Sequence, residues 1–277
     1  MSKKAFFIVL IIALTLTGLA LWRIKGCAVA FPDFSLGGGG PASKLANEAK
    51  ELEAKNALSE AGDIYRRLIN EYPNSSDVMK WQKKLEEITL RLLFSPVITS
   101  KSLLYQIQPG DTLVKIAKQF KTTVEMIKRA NNLTTDTIVP GQKIKVWNAP
   151  FSIFVDKSQN TLLLKSDEEI VKTYIVSTGK NNCTPVGTFK IVVKQIDPPW
   201  FKTEANGTTK VIPPGSPENA LGSRWMGFDL PKYGIHGTIE PQELGKQVTE
   251  GCVRLSNPDV EELYMIVPAG TEVAIVD

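Results

Sequence analysis

The chain has 277 residues, 43% of them apolar, with 33 Lys and Arg against 29 Asp and Glu. That length predicts two or three compact units with real cores. A formal charge of +4 spread so evenly excludes the concentrated basic face of a nucleic-acid binder; one histidine and three scattered cysteines (Cys27, Cys183, Cys252) exclude a multi-histidine zinc site and a disulfide scaffold.

In chain order, residues 1–30 read as an export element. Lys3 and Lys4 precede an apolar run over residues 6–22, which at 17 residues is the shortest length able to span a bilayer. Ala28-Val29-Ala30 has the small-x-small form of a signal-peptidase site. Arg23 and Lys25 stand between that site and the apolar run, which favours an uncleaved N-terminal apolar helix acting as a membrane anchor. Lipid attachment at Cys27 is disfavoured by Lys25, a charge where such sites want small or apolar groups. A flexible linker follows over residues 31–43, with glycine at positions 37 to 40.

Residues 44–95 are rich in Ala, Leu, Glu and Lys, and Leu58, Ala61, Ile64, Tyr65 and Leu68 recur at helical spacing. Three helices are expected, broken near Leu58 and at Pro73. Gly62, Tyr65, Leu68, Tyr72 and Pro73 resemble part of a tetratricopeptide repeat. Little more than one repeat is present, so the expectation is a helical spacer rather than a docking array.

Residues 104–147 run as a short strand at Tyr105, the turn Pro109-Gly110-Asp111-Thr112-Leu113, a helix with Ile116, Ala117 and Phe120, and a second helix. Thr122 with Glu125 three residues on reads as its capping box, Asn131-Asn132-Leu133 ends it, and Ile138 through Val146 returns as a strand. Order and residues together resemble a LysM module, a small α+β (βααβ) fold that binds the N-acetylglucosamine backbone of peptidoglycan and chitin.

From residue 150 to 277 the pattern changes to short alternating or β-branched runs, at 151–155, 161–164, 170–176, 189–193 and 272–276, which predicts a mostly-β domain. One helix closes it, capped by Asn257 with Pro258 in the first turn and Val260, Leu263, Tyr264 and Val267 as the buried stripe. The long connection over residues 197–217 is rich in turn formers and reads as a lid.

The only histidine stands in Ile235-His236-Gly237-Thr238, and fifteen residues separate it from Cys252 in Glu250-Gly251-Cys252-Val253-Arg254-Leu255. A thiolate nucleophile needs a base for its proton and a cation for its charge, and His236 and Arg254 supply both. Gly237 and Gly251 would leave room for a substrate backbone.

His-Gly-Thr followed by Thr249-x-Gly251-Cys252-x-Arg254 is similar to the L,D-transpeptidase, or YkuD-type, catalytic domain, whose motif has serine where Thr249 stands. The resemblance extends through Ser177-Thr178-Gly179, Thr184-Pro185-Val186-Gly187-Thr188-Phe189, Pro198-Pro199-Trp200, Ile212-Pro213-Pro214-Gly215 and Pro268-Ala269-Gly270-Thr271. It implies a cysteine acyl transfer on peptidoglycan stem peptides, with no cofactor and no metal. Cys252 attacks the third residue of a tetrapeptide stem and expels the terminal D-alanine, and an amine of another stem resolves the acyl-enzyme into a cross-link. His236 is implied as base and then acid, the Gly237 carbonyl as its orienter, and amides around Gly251 and Cys252 as oxyanion donors. Arg254 is implied at the loop, the thiolate or a substrate carboxylate, and Thr238, Thr249, Gly251 and Trp200 as substrate-binding residues. An L,D-carboxypeptidase, a lipoprotein-attaching transpeptidase and a non-catalytic peptidoglycan-binding scaffold remain alternatives. The whole order implies an exported protein of the periplasm or wall, whose LysM module keeps glycan strands and their stems close to the catalytic domain.

Overall fold

Residues 40–204 and 206–277 are described in a computed structural model of the chain. The expected apolar helix of residues 6–22, the Ala28-Val29-Ala30 site and most of the glycine linker lie outside the described residues, and no described helix is long and apolar enough to cross a membrane.

Three helices appear, α1 (Pro41–Ala54), α2 (Leu58–Glu71) and α3 (Val78–Leu93), the first beginning inside the linker expected over residues 31–43, where Pro41 takes the first turn. Asn56, in the left-handed region at φ 58°, turns the chain between the first two. Leu58, Ala61, Tyr65 and Leu68 of α2 and Trp81, Leu85, Ile88 and Leu93 of α3 are buried. The segment is more than a spacer, because α3 covers an edge strand of the large sheet. Buried Glu86 accepts hydrogen bonds from the Thr173 hydroxyl (2.8 Å) and backbone N–H (3.2 Å), a donor that an open sheet edge would leave unpaired.

The next unit pairs β1 (Ser102–Gln106) antiparallel with β2 (Lys143–Trp147), with α4 (Leu113–Gln119) and α5 (Val124–Ala130) between them. Helix α5 is capped by Thr123, whose hydroxyl accepts from Met126 N–H at 3.0 Å. The expected cap, Thr122, is buried and donates to the Met126 sulfur instead, so the box is offset by one residue. The return strand starts at Lys143 rather than Ile138, since Gly141 at φ 89° still belongs to the turn.

Residues 151–277 build an eight-stranded sheet in the order β13-β11-β10-β7-β14-β3-β4-β5. Its members are β3 (Phe151–Asp156), β4 (Thr161–Ser166), β5 (Glu169–Ile175), β7 (Gly187–Ile196), β10 (Arg224–Phe228), β11 (Gly234–His236), β13 (Val253–Arg254) and β14 (Glu272–Val276). All neighbours are antiparallel except the pairs β14/β3 and β11/β13. A short parallel pair, β6 (Thr178–Gly179) with β12 (Gln247–Thr249), stands apart from it. The expected lid region instead contains a regular hairpin, β8 (Trp200–Thr203) with β9 (Thr209–Ile212). Helix α6 (Asn257–Ile266) is capped by Ser256, which accepts from Asp259 N–H; the expected cap, Asn257, is the first helical residue.

The βααβ unit and the sheet share a core. Met126 and Trp147 pack in the same cluster as Leu93, Ile153, Val253 and Leu263, and the Trp147 ring stacks on Phe151 at 6.0 Å. Lys145, 2% exposed, donates to the carbonyls of Leu92 and Ser95 at the end of α3, and burial lowers its amine to about 8. Thr123 also hydrogen-bonds the Met265 carbonyl of α6.

Candidate active site

Strands β11 and β13 run parallel, with Ile235 beside Val253 and His236 beside Arg254. Ile235 and Val253 are fully buried in the core. Because side chains alternate along a strand, Gly234, His236, Cys252 and Arg254 all present to the opposite face. The lone imidazole and the motif cysteine therefore occupy one face of adjacent strands. Trp225 of β10 is the cross-strand partner of His236 on its other side.

The imidazole is 5% exposed, and its Nδ1 lies 2.7 Å from the Gly237 carbonyl oxygen. A carbonyl only accepts, so in the neutral ring Nδ1 carries the proton and Nε2 keeps its lone pair. Burial lowers His236 to about 4; the bond to Gly237 opposes this and Arg254 adds to it. The Cys252 thiol donates to the Lys232 carbonyl at 3.4 Å. Burial raises this thiol to about 11, against the Gly234 N–H and Arg254, which favour the thiolate. At pH 7 the pair is a neutral thiol and a neutral imidazole. Such a pair suits proton transfer during attack, not a standing thiolate–imidazolium ion pair.

Arg254 is 11% exposed, and its guanidinium Nη1 meets Glu243 at 2.7 Å and Glu240 at 3.3 Å. Two carboxylates thus hold the charge expected to serve the thiolate. Thr249, expected at the substrate, is 3% exposed; its hydroxyl donates to the Cys252 carbonyl (2.7 Å) and accepts from the Gly251 N–H (3.2 Å). The Gly251 amide, expected as an oxyanion donor, is thereby committed to the turn. Gly251 itself sits at φ 121°, and an added Cβ would come within 2.6 Å of the Tyr233 ring. Cys183 and Cys252 are both free thiols.

Thr238 is also 3% exposed and bound internally. The Asn257 side chain accepts from its N–H (3.2 Å) and from that of Ser223 (3.1 Å), and donates to its carbonyl (2.9 Å). A Cβ on Gly237 would stand 2.1 Å from the same Asn257 oxygen, so glycine is required there. Sequence reasoning gave Asn257 only a capping role, although polar residues at a helix start are the signal that it had a second use. Asn257→Ala should leave three buried backbone groups without partners, at about 2–3 kcal/mol. A fall in melting temperature of roughly 5–10 °C is the expected reading. An unchanged melt would show that the clamp contributes nothing.

Trp200 lies in the β8–β9 hairpin opposite Ile212, with the Lys202 amine 5.6 Å over its ring. The aromatic that flanks His236 is Trp225, at 5.9 Å between ring centroids and an interplanar angle of 29°.

Residues 150–275 match the family described as the L,D-transpeptidase catalytic domain, and residues 105–147 match the LysM domain. Among curated relatives, the Bacillus licheniformis protein named L,D-transpeptidase YkuD is 37% identical over 181 residues, 62% of this chain and 98% of its own length. Its Bacillus subtilis namesake is 34% identical over 180 residues, with the same two shares. The Bacillus subtilis protein named L,D-transpeptidase YqjB is 39% identical over 131 residues, 45% of this chain and 70% of its own length. Among solved structures, the catalytic domain from the E. faecium L,D-transpeptidase is 24% identical, with a TM-score of 0.38 over 46% of this chain and 98% of that one.

Proposed function

The chain belongs to the L,D-transpeptidase family, enzymes that act on peptidoglycan, and from that premise we propose that Cys252 is its acyl-accepting nucleophile and His236 the general base. The observation that carries the assignment is the shared face: one imidazole at the end of β11 and one thiol immediately before β13, backed by Ile235 and Val253 in the core.

The donor is a tetrapeptide stem whose third-residue carbonyl meets the Cys252 sulfur. As the C–S bond forms, the thiol proton passes to His236 Nε2, free because Nδ1 is held by Gly237. The same proton then goes to the leaving D-alanine amine, and a thioester remains. A side-chain amine of a second stem attacks it; its proton returns through His236 to the departing sulfur, and an amide cross-link is made. The Cys252 N–H is the donor for the developing oxyanion, since the Gly251 N–H serves Thr249. One such donor contributes about 3 kcal/mol to the transition state. Arg254, fixed by Glu240 and Glu243, is assigned to holding the loop after Cys252 rather than to binding a substrate carboxylate. The LysM unit binds glycan strands, and the apolar residues 6–22 behind Lys3 and Lys4 carry the chain through the membrane to the wall and anchor it there.

Purified protein incubated with tetrapeptide stems and followed by mass spectrometry tests this. Cross-linked dimers with release of D-alanine are expected. Trimmed tripeptides alone would mean that water resolves the thioester, an L,D-carboxypeptidase; coupling only to a lipoprotein lysine would mark an attaching enzyme. Neither product, with no acyl-enzyme, would leave a binding scaffold.

A further inference from the structure

Resting on that reading and going beyond it, we propose that Trp225 is the positioning residue of the catalytic imidazole, its indole lying over the glycine pair Gly227–Gly234 and against one face of His236.

Trp225 and His236 are directly opposed across β10 and β11, and the next pair on the same face is Gly227 with Gly234. The indole leans over that pair. A Cβ added at Gly227 would lie 2.8 Å from the Trp225 Nε1, and one at Gly234 would lie 2.9 Å from its Cζ2 and Cη2. Gly227 is not among the glycines at positive φ, so its backbone would accept a side chain. What forbids one is the indole. Gly234 has a second reason for its bareness, the Met226 carbonyl 2.5 Å from the same point.

The six-membered ring thus ends beside Gly234, whose backbone N–H favours the Cys252 thiolate. The imidazole has one anchor in its own plane, the Gly237 carbonyl on Nδ1, which leaves Nε2 as the nitrogen free to accept a proton. It leaves the tilt of the ring free. A near-parallel aromatic at 5.9 Å removes that freedom and covers one face from water. The charged and titratable groups around the ring are Arg254, with Glu240 and Glu243 on its guanidinium, and the Cys252 thiol; changes at 225 or 227 leave all of them in place.

The test compares wild type, Trp225→Phe, Trp225→Ala and Gly227→Ala in the full chain. Acylation by a carbapenem is read by intact mass from pH 3.5 to 8, with a thermal melt of each variant. Trp225→Ala should slow acylation at pH 7 by roughly tenfold and move the acid limb from about 4 towards the value of a free imidazole, near 6.5. Trp225→Phe should restore most of the rate and the wild-type limb. Gly227→Ala, which displaces the indole without removing it, should shift the limb the same way and serves if Trp225→Ala does not fold. Acid limbs unmoved in both Trp225→Ala and Gly227→Ala, with wild type acylated at Cys252, would overturn the role of Trp225 alone. No adduct on wild-type Cys252 would instead remove the nucleophile assignment on which it rests.

Discussion

Cys252→Ala should take up no carbapenem adduct and should lose stem turnover by on the order of 10⁴-fold or more, as when the nucleophile of an acyl-transfer enzyme is deleted. The fold should survive. The side chain is only partly buried, its sulfur contacts the Lys232 carbonyl, and the turn that carries it is held by Thr249 and Gly251, not by the thiol. Melting within a few degrees of wild type is the accompanying expectation. An adduct that persists in this variant, mapped for example to Cys183, would move the nucleophile elsewhere.

Replacement of His236 by glutamine should slow acylation by about 10²–10⁴-fold at pH 7, the usual share of a general base. In wild type the sign follows from the lowered imidazole. The acceptor form prevails above about 4, so the rate holds across neutral pH and falls as acid protonates Nε2. In His236→Gln that acid limb should vanish. Because burial keeps the Cys252 proton on sulfur up to about 11, the difference in thiolate absorbance between wild type and Cys252→Ala should be absent at pH 7 and appear only in strong alkali. Thiolate present at neutral pH would show instead a standing ion pair.

The strands of the catalytic domain and the order of the LysM unit were legible because alternation and turn residues are local signals. His236 and Cys252 were legible as a candidate pair because each is rare in this chain and its type suits that chemistry. What sequence could not supply was the choice between equivalent neighbours. Thr122 and Thr123 both cap well, and burial of the first against Met126 leaves the second to do it. Ser256 takes the cap of α6, and Asn257 then clamps Ser223 and Thr238. Trp200 and Trp225 differ in nothing that composition can register; only the strand register sets one beside the imidazole. Thr238, Thr249 and Gly251 read as substrate contacts because they flank the motif, yet their polar groups face inward to hold it. The hairpin of residues 200–212 was hidden by the prolines on either side of it.

The packing of Trp147 on Phe151 and the seating of Lys145 on the end of α3 leave no slack between sugar-binding unit and sheet. The two work as the jaws of a caliper. A sugar held by the first jaw would therefore reach the second at a distance set by packed side chains and not by a tether.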